Sequence, residues 1–204
     1  MGWWSDHVVP RVVDLTLDND QVRELRARVC AHLRGRVLEV GFGSGLNVPH
    51  YPRDVESVTA VEPSDLAWRR AGPRLRHTRV VVRRAGLDGQ RLPLPDASHD
   101  SALSTFTLCT IPDVDAALAE IHRVLKPGGR LELVEHGLSP DGPVAAWQHR
   151  LDGLQGRLAG GCHLDRPIDE LVRRNGFTIG HLETFYAPGP KPFAYLYLGW
   201  ATAG

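Results

Sequence analysis

The sequence predicts an α/β protein, a mostly parallel sheet with helices on both faces and an antiparallel pair at its end. Three observations lead there. Short apolar, β-rich runs alternate with helical patterns through most of the chain. A turn with three glycines at every second position, Glu39-Val40-Gly41-Phe42-Gly43-Ser44-Gly45, joins the first such run to a helix-compatible stretch. The last two β-rich runs, 177–186 and 193–200, are joined through Ala187-Pro188-Gly189-Pro190, a connection too short for a crossover helix.

Residues 37–40, 57–61, 80–82, 100–104 and 131–134 read as five successive strands, the fifth after the turn Lys126-Pro127-Gly128-Gly129. Helices are expected over 64–74 and 114–125. In the second, Ala117, Ile121 and Leu125 share one face; in the first, Pro73 is expected to end the helix early. Two helices, 7–17 and 19–33, precede the first strand, with Asp18 or Asn19 as N-cap of the second. Beyond strand five, a helix over 143–158 aligns Val144, Trp147, Leu151, Leu154 and Leu158 on one stripe, and another spans 165–174.

Composition narrows the function classes. The 204 residues are expected to form one domain, and 42% hydrophobic with 24% charged content is ordinary for a globular protein. Lys+Arg and Asp+Glu balance at 24 each, and no basic run interleaves with aromatics, which argues against a nucleic-acid partner. No apolar stretch is long enough for a membrane span. The N-terminus is too short and polar for a signal peptide. Three widely spaced cysteines, Cys30, Cys109 and Cys162, read as reduced packing thiols in a cytoplasmic protein, and their spacing fits no zinc pattern, so no metal is expected.

The glycine turn is a ligand site. Glycine lets a ligand lie on the backbone, and the helix start behind it offers free N–H groups. The dinucleotide fingerprint is GxGxxG, but here the third glycine comes one residue early and Leu46 stands in its place. Glu62, at the end of the second strand, can accept both hydroxyls of a ribose. Pro63 and Ser64 follow, Ser64 as a helix cap.

An acidic residue two positions before GxGxG, as in Glu39 to Gly45, resembles class I S-adenosylmethionine (SAM) methyltransferases. So do the segment Asp88-Gly89-Gln90-Arg91-Leu92-Pro93-Leu94-Pro95-Asp96 and the turn Leu125-Lys126-Pro127-Gly128-Gly129. The segments Thr107-Leu108-Cys109-Thr110-Ile111-Pro112, Glu135-His136-Gly137, Trp147-Gln148 and Gly160-Gly161-Cys162-His163-Leu164 resemble one branch of that superfamily. It contains small bacterial enzymes and the animal alkyl-thiol S-methyltransferases (methyltransferase-like protein seven). The ubiquinone/menaquinone C-methyltransferases are a looser match.

The resemblance implies a Rossmann-like seven-stranded sheet with an antiparallel last strand. It divides the domain into an N-terminal helical lid (1–35), a SAM-binding core (36–136) and substrate-side helices and closing strands (137–204). It implies SAM as cofactor and S-adenosyl-L-homocysteine (SAH) as product. The cofactor residues are then Glu39, Gly41, Phe42, Gly43, Ser44, Gly45, Asn47, Glu62, Pro63, Ser64, Asp88, Gly89, Ser104, Thr105 and Phe106. Glu39 is expected near the methionine amino group and Asp88 near the adenine. Trp3, Trp4, Thr107, Trp147, Cys162 and Tyr186 are candidates for the acceptor pocket.

The chemistry limits the catalytic candidates. Methyl transfer from a sulfonium is an in-line displacement that needs alignment and water exclusion. A thiol, with pKa near 8.5, needs only a weak base, whereas a phenol near 10 needs more. Three histidines are candidate bases: His136 past strand five, His163 beside Cys162, and His7 in the lid. The expected reaction is methylation of a small, fairly apolar acceptor. A thiol is the first choice, a phenol- or quinol-type O- or C-acceptor the alternative. The rival classes are a non-catalytic SAM/SAH-binding protein and a nicotinamide oxidoreductase.

Overall fold

The protein is described by a computed structural model over residues 18–86 and 88–204. The expected helix over 7–17 and the candidates Trp3, Trp4 and His7 lie outside the described residues. The strands are β1 Gly35–Val40, β2 Val55–Val61, β3 Val81–Arg84, β4 His99–Thr105, β5 Leu125–His136, β6 Phe177–Tyr186 and β7 Tyr195–Ala203. The helices are α1 Asp20–Cys30, α2 Asp65–His77, α3 Val114–Val124, α4 Gly142–Leu158 and α5 Ile168–Arg174.

One sheet joins all the strands in the order β3-β2-β1-β4-β5-β7-β6. β1 to β5 are parallel, and β7 runs antiparallel to both β5 and β6, so it is the one reversed strand. Leu38 and Val40 pack with Leu118, Ile121, Leu171 and Val172 of α3 and α5, while Val37 packs with Leu25, Val29 and Leu33 at the end of the α1 segment. Alternate residues of β1 thus face opposite helical layers, and Val37 to Val40 are all buried, as in a sheet covered on both sides. Burying each Leu or Ile of these layers contributes roughly 1.5–3 kcal/mol.

Local capping matches the sequence at two helices. Asn19 caps α1 through its side chain, which accepts from the Val22 N–H at 3.0 Å, and Ser64 caps α2 by accepting from the Ala67 N–H at 3.2 Å. Four expectations are corrected. Pro73 does not end α2, which continues to His77. Part of the penalty of an internal proline is the clash of its ring with the Cβ of the residue before it, and Gly72 has none. The Lys126-Pro127-Gly128-Gly129 segment does not precede β5 but loops out within it, since Leu125 pairs with His99 and Arg130 with Ser101. The last helix begins at Ile168 rather than 165.

The fourth correction concerns α4. Trp147 and Leu154 stand exposed, and Arg150 lies over the Trp147 ring, so the stripe is not a buried one. The helix docks through a polar group instead. Gln148 is wholly buried, accepting from Ser139 N–H at 2.9 Å and donating to the carbonyls of Gly137 at 3.0 Å and Pro192 at 3.2 Å. Among the described residues no helix is long and apolar enough to cross a membrane.

Candidate functional site

The strand order turns back between β1 and β4, and ligands of open α/β sheets bind outside the carboxyl ends of the strands at such a point. Residues 41–47 leave β1 there, Glu62 leaves β2, Thr105 to Thr107 leave β4, and Glu135 and His136 end β5. Gly41 and Gly43 have φ of +74° and +59°, the left-handed region. A Cβ on Gly41 would lie 2.1 Å from Thr107 Oγ1, so the loop after β4 packs directly on that glycine. Among the described residues, a Cβ on Gly43 would meet nothing closer than the Gly41 carbonyl at 4.0 Å. The space over Gly43 is therefore open to a ligand.

Glu62 borders that space. It is 6% exposed, and burial raises its pKa. Its two oxygens accept from the backbone N–H groups of Gly43 and Ser64, each at 2.7 Å. Arg84 holds the strand end by donating to the Glu62 carbonyl at 2.8 Å. Two of the carboxylate's roughly four lone-pair sites are used, so it can still accept from a diol. These features fit the nucleoside of the cofactor that the sequence implies.

Beneath the glycine turn lies a buried polar cluster. Glu39 is wholly buried, and its pKa is raised to about 7 by burial, against the hydrogen bonds from Tyr51 and Asn47. Asn47 Nδ2 donates to it at 2.9 Å, and the Tyr51 hydroxyl donates to its other oxygen. Asn47 and Arg26 Nη1 also donate to Thr105 Oγ1, at 3.0 and 3.1 Å, and Arg26 donates to Asn47 Oδ1 at 2.7 Å. Arg26 lies over the Phe106 ring at 5.8 Å. Phe106 has φ of +53°, uncommon for a bulky residue and found where a site holds the backbone under strain.

The remaining cofactor candidates are more scattered. Phe42 is buried against Trp68, with ring centroids 5.3 Å apart, and Ser44 is buried below the turn. Gly45 packs in the turn, and Pro63 is exposed beside Ser64. Asp88 is exposed and accepts from Gln90 N–H at 2.9 Å, while a Cβ on its neighbour Gly89 would come within 3.1 Å of Val40. Ser104 is buried and turned onto a different group, donating to Glu135 at 2.7 Å.

Glu135 is a hub that the sequence reading did not single out, as are Arg26 and Tyr51. It is wholly buried, accepts from Thr107 N–H at 2.9 Å, and has its pKa raised to about 7 by burial. It ties the loop after β4 to the end of β5. Its position next to His136, in a run leaving an apolar strand, was the available signal. His136 itself is 7% exposed, and neither ring nitrogen has a hydrogen-bond partner among the described residues.

The other acceptor-side candidates form two groups. His163 Nδ1 bonds Asp152 at 2.9 Å, and Cys162 Sγ lies 3.6 Å from Cys109 Sγ. Tyr186 bonds Asp141 at 2.7 Å and Ser139 at 2.5 Å, at the end of β6. Trp147 joins neither group, since its side chain faces solvent.

The chain is similar to known proteins in sequence and fold. The profile of a methyltransferase domain matches residues 38–133, from β1 into β5. The phosphatidylethanolamine N-methyltransferase of Cereibacter sphaeroides is 31% identical, over 78% of this chain and 84% of that protein. The demethylmenaquinone methyltransferase of Deinococcus radiodurans is 36% identical, over 79% and 70%. The thiol S-methyltransferase TMT1B of Rattus norvegicus is 33% identical, over 80% of this chain and 66% of its own length. A SAM-dependent methyltransferase structure from Thermotoga maritima, described as a possible histamine N-methyltransferase, superposes with a TM-score of 0.67 at 23% identity. The match covers 98% of this chain and all of that one, and shows a common fold. The glycine turn, the Glu62 carboxylate and these relatives together place the chain in the SAM-dependent methyltransferase family, with SAM as its cofactor.

Proposed function

We propose that the chain methylates a small, fairly apolar acceptor through a thiol. Residues 36–136 hold the cofactor, and residues 137–204, with the segment 1–35, shape the acceptor side. Glu62 accepts from the ribose hydroxyls, with Pro63, Ser64, Asp88 and Gly89 around the adenine. Gly41 to Gly45, Thr105 and Phe106 border the methionine end. Glu39 fixes Asn47 and Tyr51 under the turn and, with lone pairs left on both oxygens, faces the methionine amino group.

The observation that carries the thiol reading is His136, a buried imidazole at the carboxyl end of β5 whose ring nitrogens have no hydrogen-bond partner within bonding geometry among the described residues, and which lies near enough to Cys162 to draw its thiol down. When bound, the cofactor supplies an electrophilic methyl group on a sulfonium. The protein aligns the nucleophile behind that methyl and keeps water out, and such positioning lowers a barrier by roughly 7–11 kcal/mol at best. His136 accepts the acceptor's proton at a ring nitrogen. An imidazole is a base of sufficient strength for a thiol with pKa near 8.5 and a poor one for a phenol near 10. The similarity to TMT1B over 80% of the chain supports the same acceptor class.

A second reading, methylation of an activated ring carbon of quinol type, is favoured by the 36% identity to the demethylmenaquinone enzyme. A panel of small thiols, phenols, quinols and phosphatidylethanolamine, read by SAH release, separates them. Release with thiols alone supports the proposal, and release with quinols or the lipid alone overturns it. Tight SAM binding with no release from any acceptor favours a non-catalytic binding protein.

A further inference from the structure

Two cysteines far apart in sequence meet beside the acceptor side. Cys109 lies in the loop after β4 and Cys162 between α4 and α5, and their sulfurs are 3.6 Å apart. The two backbones are already clamped together. Cys109 carbonyl accepts from His163 N–H at 2.8 Å, Arg166 donates to the Leu108 carbonyl, and a Cβ on Gly161 would lie only 3.2 Å from the Thr110 carbonyl. Closing the sulfurs to bonding distance, about 2.05 Å, therefore needs a side-chain adjustment and no rearrangement of the fold.

The two thiols are unequal. Cys109 is buried at 2% exposure, while Cys162 is half-buried and reachable from outside. The hydrogen bond between the sulfurs draws the Cys162 thiol below its ordinary value and pushes the Cys109 thiol above its own. Burial raises Cys109 further, and His136 and His163 draw Cys162 further down. An accessible thiolate next to a buried thiol is the arrangement of an attacking and a resolving cysteine. The third cysteine, Cys30, is wholly buried in the α1 layer.

We propose that Cys109 and Cys162 form a reversible dithiol site that exchanges with low-molecular-weight disulfides. Cys162 thiolate attacks one sulfur of R–S–S–R; that bond breaks, and R–S⁻ leaves with the electron pair and takes up the proton that Cys162 released. Cys109 then gives its proton to water and attacks Cys162 Sγ, and the second R–S⁻ leaves and is protonated. The protein dithiol loses two electrons and two protons, and the disulfide becomes two R–SH. The new bond ties the loop that packs on Gly41 to the loop carrying His163. The proposal does not depend on which acceptor is methylated.

The test uses the reduced full chain with bis(2-hydroxyethyl) disulfide. The wild type is expected to lose two hydrogens in intact mass, to fall from three alkylatable thiols to one under denaturing conditions, and to give a cross-linked Cys109–Cys162 peptide. Its unfolding midpoint should rise, and dithiothreitol should reverse every change. Cys109→Ser should stop at one hydroxyethylthio adduct on Cys162, and Cys162→Ser should not react. Cys109→Ala serves equally if the serine, placed in a buried site, weakens the fold. A wild type that keeps a stable adduct on Cys162, or retains three free thiols, overturns the proposal.

Discussion

Gly43 donates its backbone N–H to the Glu62 carboxylate at 2.7 Å, so the turn after β1 and the end of β2 are locked to each other at the cofactor site. The bond joins residues 19 apart in sequence, and it holds the carboxylate beside the glycine turn. Anything that moves the glycine turn therefore also moves the group proposed to hold the ribose.

The two glycines of the turn should respond differently to the same substitution. Gly41→Ala forces a left-handed alanine and drives its Cβ into Thr107, for a combined loss of about 2–5 kcal/mol of stability. Gly43→Ala bears only the backbone penalty, about 1–2 kcal/mol, while its methyl enters the open space. Chemical denaturation with SAH titration should show the first variant losing chiefly stability and the second losing chiefly affinity.

His136→Ala should leave SAH affinity intact and lower turnover at neutral pH by roughly 10²–10⁴-fold, the range for removal of a general base. Because a thiol acceptor ionises unaided near pH 8.5, the deficit should narrow as pH rises past that point. A pH–rate profile with an unchanging deficit would exclude His136 as the base.

Glu132 gives a pH dependence of stability that does not involve the reaction. It is 2% exposed in β5, burial raises its pKa to about 7 from an ordinary 4.5, and Arg130 at 3.4 Å only partly offsets that. The folded state thus holds this proton more tightly than the unfolded state. Its stabilising effect is complete below about 4.5 and is lost as pH rises through about 7. Glu132→Gln should flatten this decline, gaining about 1–3 kcal/mol on the wild type between pH 5 and pH 8, as read by urea unfolding at each pH.

Much of the fold was legible because its signals are local. The glycine spacing, the N-caps at Asn19 and Ser64, and the short loop between the last strands each announce themselves over a few residues. What was missed depends on contacts distant in sequence. Arg26 reaches Asn47 and Thr105 from a segment that the sequence marks only as a helix. Cys109 and Cys162 read as separate packing thiols, because nothing in a spacing of 53 residues reveals their contact. The apolar stripe on α4 misled for the opposite reason. Its periodicity is real, but a buried Gln148 with three hydrogen bonds sets which side of the helix docks.

The most direct test of the central claim is calorimetric titration of SAM into the wild type and Glu62→Ala, with NAD as control. The account predicts SAM binding by the wild type, no NAD binding, and a loss of about 1–3 kcal/mol in the variant, the range for hydrogen bonds to a charged group. Equal SAM affinity in the two proteins, or tight NAD binding, would contradict it.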